Sequence, residues 1–138
     1  MGEIFEIREH TADVGIYARG DTIEATFAAM ADGLAAASCD DWPNEGTRFD
    51  VRIEAEGLEA ALFDYLDELI YQRDVRDVLP VENRVTISLD EDRWTVEGSA
   101  RGVPTDRIAG REIKAVTYSE MEITETQSGW EAYVVFDV

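Results

Sequence analysis

The chain has 138 residues, the length of one domain with a sizeable buried core, and its 45% hydrophobic content is too high for a disordered protein. Asp and Glu number 31 against 12 Lys and Arg, and the resulting net charge of −19 disfavours direct binding to nucleic-acid phosphates. The sequence shows no secretory signal and no apolar run of the roughly 20 residues that cross a bilayer. We therefore expect a cytoplasmic protein without a membrane partner.

The basic residues are unusual in their kind, because eleven of the twelve are arginine and the only lysine is Lys114. Self-repulsion at a charge of −19 opposes folding in dilute buffer, whereas at 1 M salt the screening length falls to about 3 Å. The composition is typical of a halophilic protein from a salt-loaded cytoplasm. An ordinary acidic protein is the alternative.

Apolar spacing predicts the secondary structure, with period two in the strands and apolar stripes at helical spacing in two helices. In chain order we predict strands at 3–9 and 14–19, a helix capped by Asp21 that ends near Ser38, a strand at 47–56, a helix at 58–73, a hairpin that turns at 90–92, and strands at 111–117, 119–126 and 130–137. This order predicts a single α+β domain over residues 1–138, in which two amphipathic helices pack with antiparallel sheets.

Several common enzyme motifs are missing from the sequence. It has no phosphate-binding loop, no dinucleotide-binding glycine motif, no His-Glu-x-x-His and no Gly-x-Ser-x-Gly. A Ser-His-Asp triad would have to use His10, the only histidine, and the lone Cys39 excludes an internal disulfide and a cysteine zinc site. We therefore expect a protein that is not itself an enzyme.

Carboxylates stand at two places where strands start or end. Asp13 lies at the junction of the first two strands, and Asp137 lies beside the α-carboxylate of Val138. If the last strand pairs beside the strand that leaves Asp13, three carboxylates converge on a site suited to Ca²⁺, Mg²⁺ or Mn²⁺. The alternative is that Asp13 closes the bend through its own backbone hydrogen bonds. His10 is either a further ligand or a structural hydrogen-bonding residue.

Lys114 is the other candidate, because a composition that uses arginine almost everywhere keeps one lysine here. An ammonium is a compact point charge with a readily shifted pKa, unlike a guanidinium. The alternative is that the lysine is retained by chance and that Lys114 is simply an exposed strand residue. Tyr118, four residues later in a predicted strand, would face the same side as Lys114, with a ring suited to packing more than to catalysis.

Two blocks of sequence resemble the signatures of the archease family. They are Glu-His-Thr-Ala-Asp-Val-Gly at 9–15 and Ile-Lys-Ala-Val-Thr-Tyr at 113–118, and the similarity extends to the closing Phe-Asp-Val. The resemblance implies the family's α+β architecture. It also implies a protein that activates an RtcB-type RNA ligase in tRNA splicing, by promoting guanylylation and repeated turnover of that ligase, and that does not join RNA itself.

The resemblance also assigns roles to residues. The family's metal-binding aspartates match Asp13 and Asp137, with Ca²⁺ as the expected ion, and its required lysine matches Lys114. We expect His10 and Tyr118 to take part in activation together with Lys114. The chain departs from the family at Ser119, where histidine is common, and it also lacks the histidine often found in the segment 103–111. Two other functions remain open: a small metal-dependent hydrolase that uses Asp13 and Asp137, and a general chaperone-like module.

Overall fold

The structure is a computed structural model that describes residues 4–9 and 13–138, with all their side chains except those of Arg8 and Glu9. In chain order its helices and strands are β1 (Ile4–Glu9), β2 (Asp13–Gly20), α1 (Ile23–Ser38), β3 (Thr47–Ala55), α2 (Leu58–Arg76), β4 (Val78–Asp90), β5 (Arg93–Pro104), a 3-10 turn (Thr105–Arg107), β6 (Ala115–Thr126) and β7 (Gly129–Asp137). The predicted α+β fold is confirmed.

The strands of the described residues form two antiparallel sheets. One sheet has the order β1-β2-β7-β6, and the other has the order β3-β5-β4. Each helix contacts both sheets: α1 packs on β1, β2, β7 and β4, and α2 packs on β6, β3, β4 and β5. The helices therefore share one core with the inner faces of both sheets.

Helix α1 is more deeply buried than a one-sided amphipathic helix. Eleven of its sixteen residues are buried, and most of these are small or apolar. A helix that is apolar on most sides belongs in the interior. Its N-cap is Thr22, one residue after the predicted Asp21, and the Thr22 hydroxyl accepts a hydrogen bond from the Ala25 N–H at 3.0 Å.

The prediction of two separate strands at 111–117 and 119–126 is wrong. They form the single strand β6, which begins at Ala115 and shifts its register against β7 between Thr117 and Glu122. Glu120 within this interval has a φ of 56°, a left-handed conformation that residues other than glycine rarely adopt, and it lies where the strand pairing is interrupted. The polar residues at this irregularity resemble a turn in the sequence, which is why two strands were predicted in place of one.

Helix α2 is longer than the predicted 58–73 segment. It extends to Arg76 and ends at Asp77, whose left-handed backbone has a φ of 53° and whose N–H donates to the Arg73 carbonyl. Among the described residues, no helix combines the length and apolar character needed to cross a membrane.

Candidate functional site

Asp13 and Asp137 come together because β2 and β7 are neighbours. Asp13 is the first residue of β2 and Asp137 the last of β7, and the antiparallel register makes them direct partners. Val14 and Ile16, which alternate with Asp13, are buried in the core. The two carboxylates therefore share the outer face of the sheet, where direct cross-strand partners have Cβ atoms about 4.5–5.5 Å apart.

The environment of the Asp13 carboxylate suits it to bind a cation. Its Oδ1 is buried and has no hydrogen-bond partner among the described residues. Buried polar atoms are nearly always partnered, so this oxygen requires an explanation. It takes no part in an Asx turn with the described residues, and a carboxylate oxygen is a preferred ligand of hard divalent ions. The donor chemistry therefore fits a divalent cation.

The pair does not form a complete ligand set by itself. No group of three or more His, Cys, Asp or Glu side chains suited to a metal occurs within residues 4–9 and 13–138. His10 lies outside the described residues, so its predicted role stays a prediction. Val138 follows Asp137 and packs its side chain against the main core.

Lys114 lies at the same end of the sheet, although not in a strand as predicted. Its backbone N–H donates to the Asp137 carbonyl at 2.8 Å, and Ala115, the next residue, is the direct partner of Asp137 in β6. The Lys114 side chain is exposed and makes no ion pair or hydrogen bond with another side chain of the described residues. The three predicted site residues Asp13, Asp137 and Lys114 are thus brought together by β2, β7 and the start of β6.

Tyr118 is placed apart from this group. Its ring stacks on Phe63 of α2, with centroids 4.1 Å apart and planes at 5°. Partial burial raises the pKa of the Tyr118 hydroxyl, and the carboxylates of Asp64 and Glu59 raise it further. Because Lys114 precedes the strand, the alternation expected to align it with Tyr118 does not apply. The contact with Phe63 confirms the packing predicted for the Tyr118 ring, whereas a part of Tyr118 in activation stays a prediction.

Gly15, the last residue of the first signature block, lies in close contact with the side chain of Tyr133. A Cβ at Gly15 would collide with the hydroxyl of Tyr133, which lies across this position from β7. Gly15 is two residues from Asp13 on the same face, so the Tyr133 ring covers the strand beside the carboxylate pair. Nothing in the spacing of the sequence links Tyr133 or Phe63 with the site residues, so neither neighbour was predictable from the sequence.

Comparison with known proteins gives consistent matches over almost the whole chain. Residues 5–138 match the model of the Archease protein family. The chain is 33% identical to Protein archease of Pyrococcus furiosus, with 97% of this chain and 98% of the relative covered. It is 34% identical to Protein archease of Methanosarcina mazei, with 100% and 98% covered.

Solved structures share the same fold. The solution structure of Protein 1598 from Methanobacterium thermoautotrophicum superimposes with a TM-score of 0.77 at 27% identity, over 97% of this chain and 98% of the other. A crystal structure described as an archease, possible chaperone, from Thermotoga maritima superimposes with a TM-score of 0.63 at 21% identity, over 95% and 94%, and supports the fold alone. Together with the match over residues 5–138, these similarities show that the chain belongs to the archease family.

Proposed function

We propose that this protein activates an RtcB-type RNA ligase in tRNA splicing, and that Asp13, Asp137 and Lys114 form the end of the molecule that acts on the ligase. The observation that carries the proposal is their placement: Asp13 and Asp137 are direct partners in β2 and β7, and the Lys114 N–H binds the Asp137 carbonyl. These residues come from the two blocks that resemble the family signatures and from the closing Phe-Asp-Val.

We further propose that Asp13 and Asp137 hold a divalent cation, most suitably Ca²⁺, with Mg²⁺ or Mn²⁺ as alternatives. The buried Asp13 Oδ1, which lacks a partner among the described residues, supports this assignment. Val138 and His10 are the further candidate ligands. A bound cation would supply positive charge to orient phosphate oxygens during guanylylation.

The chain's own groups contribute to activation by placing charge. The two carboxylates define an acidic end of the sheet, and Lys114, whose backbone N–H donates to the Asp137 carbonyl, adds an exposed cationic side chain at the same end. An activator of this kind docks at the ligase's active site and lowers the barrier by orienting charged groups for attack by the ligase's own nucleophile. The protein itself forms no covalent intermediate, and its partner is a protein, with no direct contact to nucleic acid proposed.

The test is guanylylation of the cognate ligase with GTP, followed by multiple-turnover joining of RNA, with and without this protein. We expect the protein to raise both activities, and Asp13→Asn to abolish most of the gain. Hydrolysis of phosphoesters by the pure protein with Mn²⁺ would favour a metal-dependent hydrolase instead. Suppression of aggregation of unrelated proteins, unchanged by Asp13→Asn and without ligase activation, would favour a general chaperone-like module.

A further inference from the structure

The peptide group between Ile113 and Lys114 is hydrogen-bonded on both of its sides. The Ile113 carbonyl accepts a bond of 2.6 Å from Nη1 of Arg73, and the Lys114 N–H donates a bond of 2.8 Å to the Asp137 carbonyl. A peptide group is planar, so bonds at its oxygen and at its nitrogen together fix its orientation. This peptide therefore connects the last turn of α2 with the end of β7.

Arg73 is itself held in place. Its Nε and Nη2 both lie 3.0 Å from Oδ1 of Asp74, and its Nη2 lies 3.7 Å from Oε2 of Glu112. The Arg73 side chain is only 12% exposed, whereas the side chains of Asp74 and Glu112 are mostly exposed. A guanidinium fixed by carboxylates on one edge can present its remaining N–H groups in a defined direction.

The side chain of Ile113 gives the segment a third attachment. It is completely buried in the main core, so the residue before Lys114 cannot shift without disturbing that core. The Ile113 side chain, the Arg73 bond and the Asp137 bond together fix the position of the Lys114 Cα relative to the carboxylate pair.

We propose that Arg73 is a positioning residue for Lys114, and that ligase activation depends on it through Lys114. The inference rests on the proposed function, because it assigns Arg73 a part in the same activity. Arg73 lies far from both signature blocks in the sequence, and its guanidinium binds a backbone carbonyl that any residue at 113 would offer. The role therefore belongs to the tertiary contact and not to a motif.

The test compares Arg73→Met with Arg76→Met in guanylylation and multiple-turnover ligation by the cognate ligase. Arg76 is a matched control, because it lies in the same last turn and loses the same charge, but its guanidinium stacks on Phe49 at 4.6 Å from the ring centroid. We expect Arg73→Met to reduce the turnover number of the activated ligase by about tenfold to a hundredfold, the cost of a misplaced group. Arg76→Met should activate as the wild type does.

Amide hydrogen exchange distinguishes a local change at Lys114 from a loss of stability throughout the protein. Arg73→Met should speed exchange of the Lys114 amide while leaving the amide of Val134, in the middle of β7, as protected as in the wild type. Equal loss of protection at both amides, or unchanged protection at Lys114, would overturn the proposal. If Arg73→Met does not fold, Arg73→Lys is the second variant, because its ammonium can still donate to the Ile113 carbonyl but lacks the planar fork. Activation and Lys114 protection should then be kept or lost together, and loss of activation with normal Lys114 protection would overturn the proposal.

The double variant Arg73→Met with Lys114→Ala separates this inference from the proposed function. If Arg73 acts through Lys114, the double variant activates no less than Lys114→Ala alone. A further loss in the double variant, or full activation by Arg73→Met where Lys114→Ala fails, would refute the positioning role and leave the proposed function standing. Full activation by Lys114→Ala would refute the role of the lysine, and the positioning role with it.

Discussion

Asp13 and Asp137 are direct cross-strand partners on the antiparallel strands β2 and β7, although they lie near opposite ends of the chain. Two like charges directly opposite each other destabilise a strand pair. A carboxylate pair at this position therefore destabilises the fold unless a positive charge or a proton compensates it. Asp13 Oδ1, which has no hydrogen-bond partner among the described residues, is the atom at which such a positive charge would bind.

We expect the pair to bind one divalent cation, and Asp13→Asn and Asp137→Asn each to weaken that binding strongly, because each removes a charged oxygen ligand. Calorimetric titration with Ca²⁺ and with Mn²⁺ measures this. At a free concentration a hundred times the dissociation constant, the ion should stabilise the wild type by about 2.7 kcal/mol. Asp92→Asn, in the turn between β4 and β5, is the control. Equal binding by the wild type and Asp13→Asn would contradict the assignment.

Lys114→Ala should abolish most of the ligase activation without unfolding the protein, because the Lys114 side chain is exposed and its backbone bond to Asp137 does not need the ammonium. The cost in stability should stay within about 1 kcal/mol. Multiple-turnover ligation and circular dichroism of each variant measure the two effects. Lys114→Arg should restore activity only in part, since a guanidinium is larger and differently hydrated. Arg107→Ala, which removes another exposed cation, is the control, and a fully active Lys114→Ala would show that the lysine is incidental.

Gly15→Ala should lower the free energy of unfolding by about 1–3 kcal/mol, because its Cβ would collide with the Tyr133 hydroxyl. Urea unfolding measures the loss. The double variant with Tyr133→Leu should lose less than the sum of the two single changes, since residues in contact do not behave additively. Gly57→Ala is the control, because a Cβ there meets no atom within 4 Å, and its cost should be less than about 1 kcal/mol. Equal losses at the two glycines would argue against the collision.

Asp32→Asn should stabilise the protein at neutral pH. Burial raises the pKa of the Asp32 carboxyl, and the N–H and Nδ2 of Asn83, both 2.9 Å from Asp32 Oδ1, oppose that rise. One amide oxygen can accept both bonds, so asparagine removes the buried charge and keeps the contacts. Removing the charge should gain about 1 kcal/mol, the scale for a partly compensated buried polar group.

The stability gained by Asp32→Asn should depend on pH. Because the pKa of Asp32 is raised in the folded state, its protonation favours folding at pH values below the ordinary pKa of the carboxyl. This contribution to the free energy of unfolding is lost as the pH rises through the raised pKa. The advantage of Asp32→Asn should therefore be largest at neutral pH and disappear toward pH about 3. Urea unfolding over this range measures it, with Asp50→Asn on the exposed face of β3 as the control for net charge. A constant difference between the Asp32 variant and the wild type would contradict the explanation.

The melting temperature should rise steeply with KCl up to the molar range. A net charge of −19 opposes the compact state, and salt screens that repulsion. Thermal melts followed by circular dichroism measure the rise. Choline chloride at the same ionic strength should act similarly if screening is the cause, whereas an effect of KCl alone would indicate specific ion binding. A flat series in both salts would count against a halophilic protein.

Local patterns in the sequence determined most of the secondary structure. Period-two alternation identified β3 and the β4–β5 hairpin, and apolar stripes identified both helices, because burial of one face imposes a period on the residues that form it. The errors lie where a local signal is ambiguous. The bulge near Glu120 made β6 resemble two strands, and residues 111–114 were included in a strand that begins only at Ala115.

The tertiary structure alone decided how the site is assembled. The sequence identified Asp13, Asp137 and Lys114 by their positions in the chain and by family resemblance, but it did not fix which strands are neighbours or in what register. Antiparallel register is set by the burial of whole strand faces, and here that burial makes Asp13 and Asp137 partners. The bond from Arg73 to the Ile113 carbonyl and the stacking of Tyr118 on Phe63 join elements distant in the chain. Such contacts follow from three-dimensional packing, which no local period in the sequence encodes.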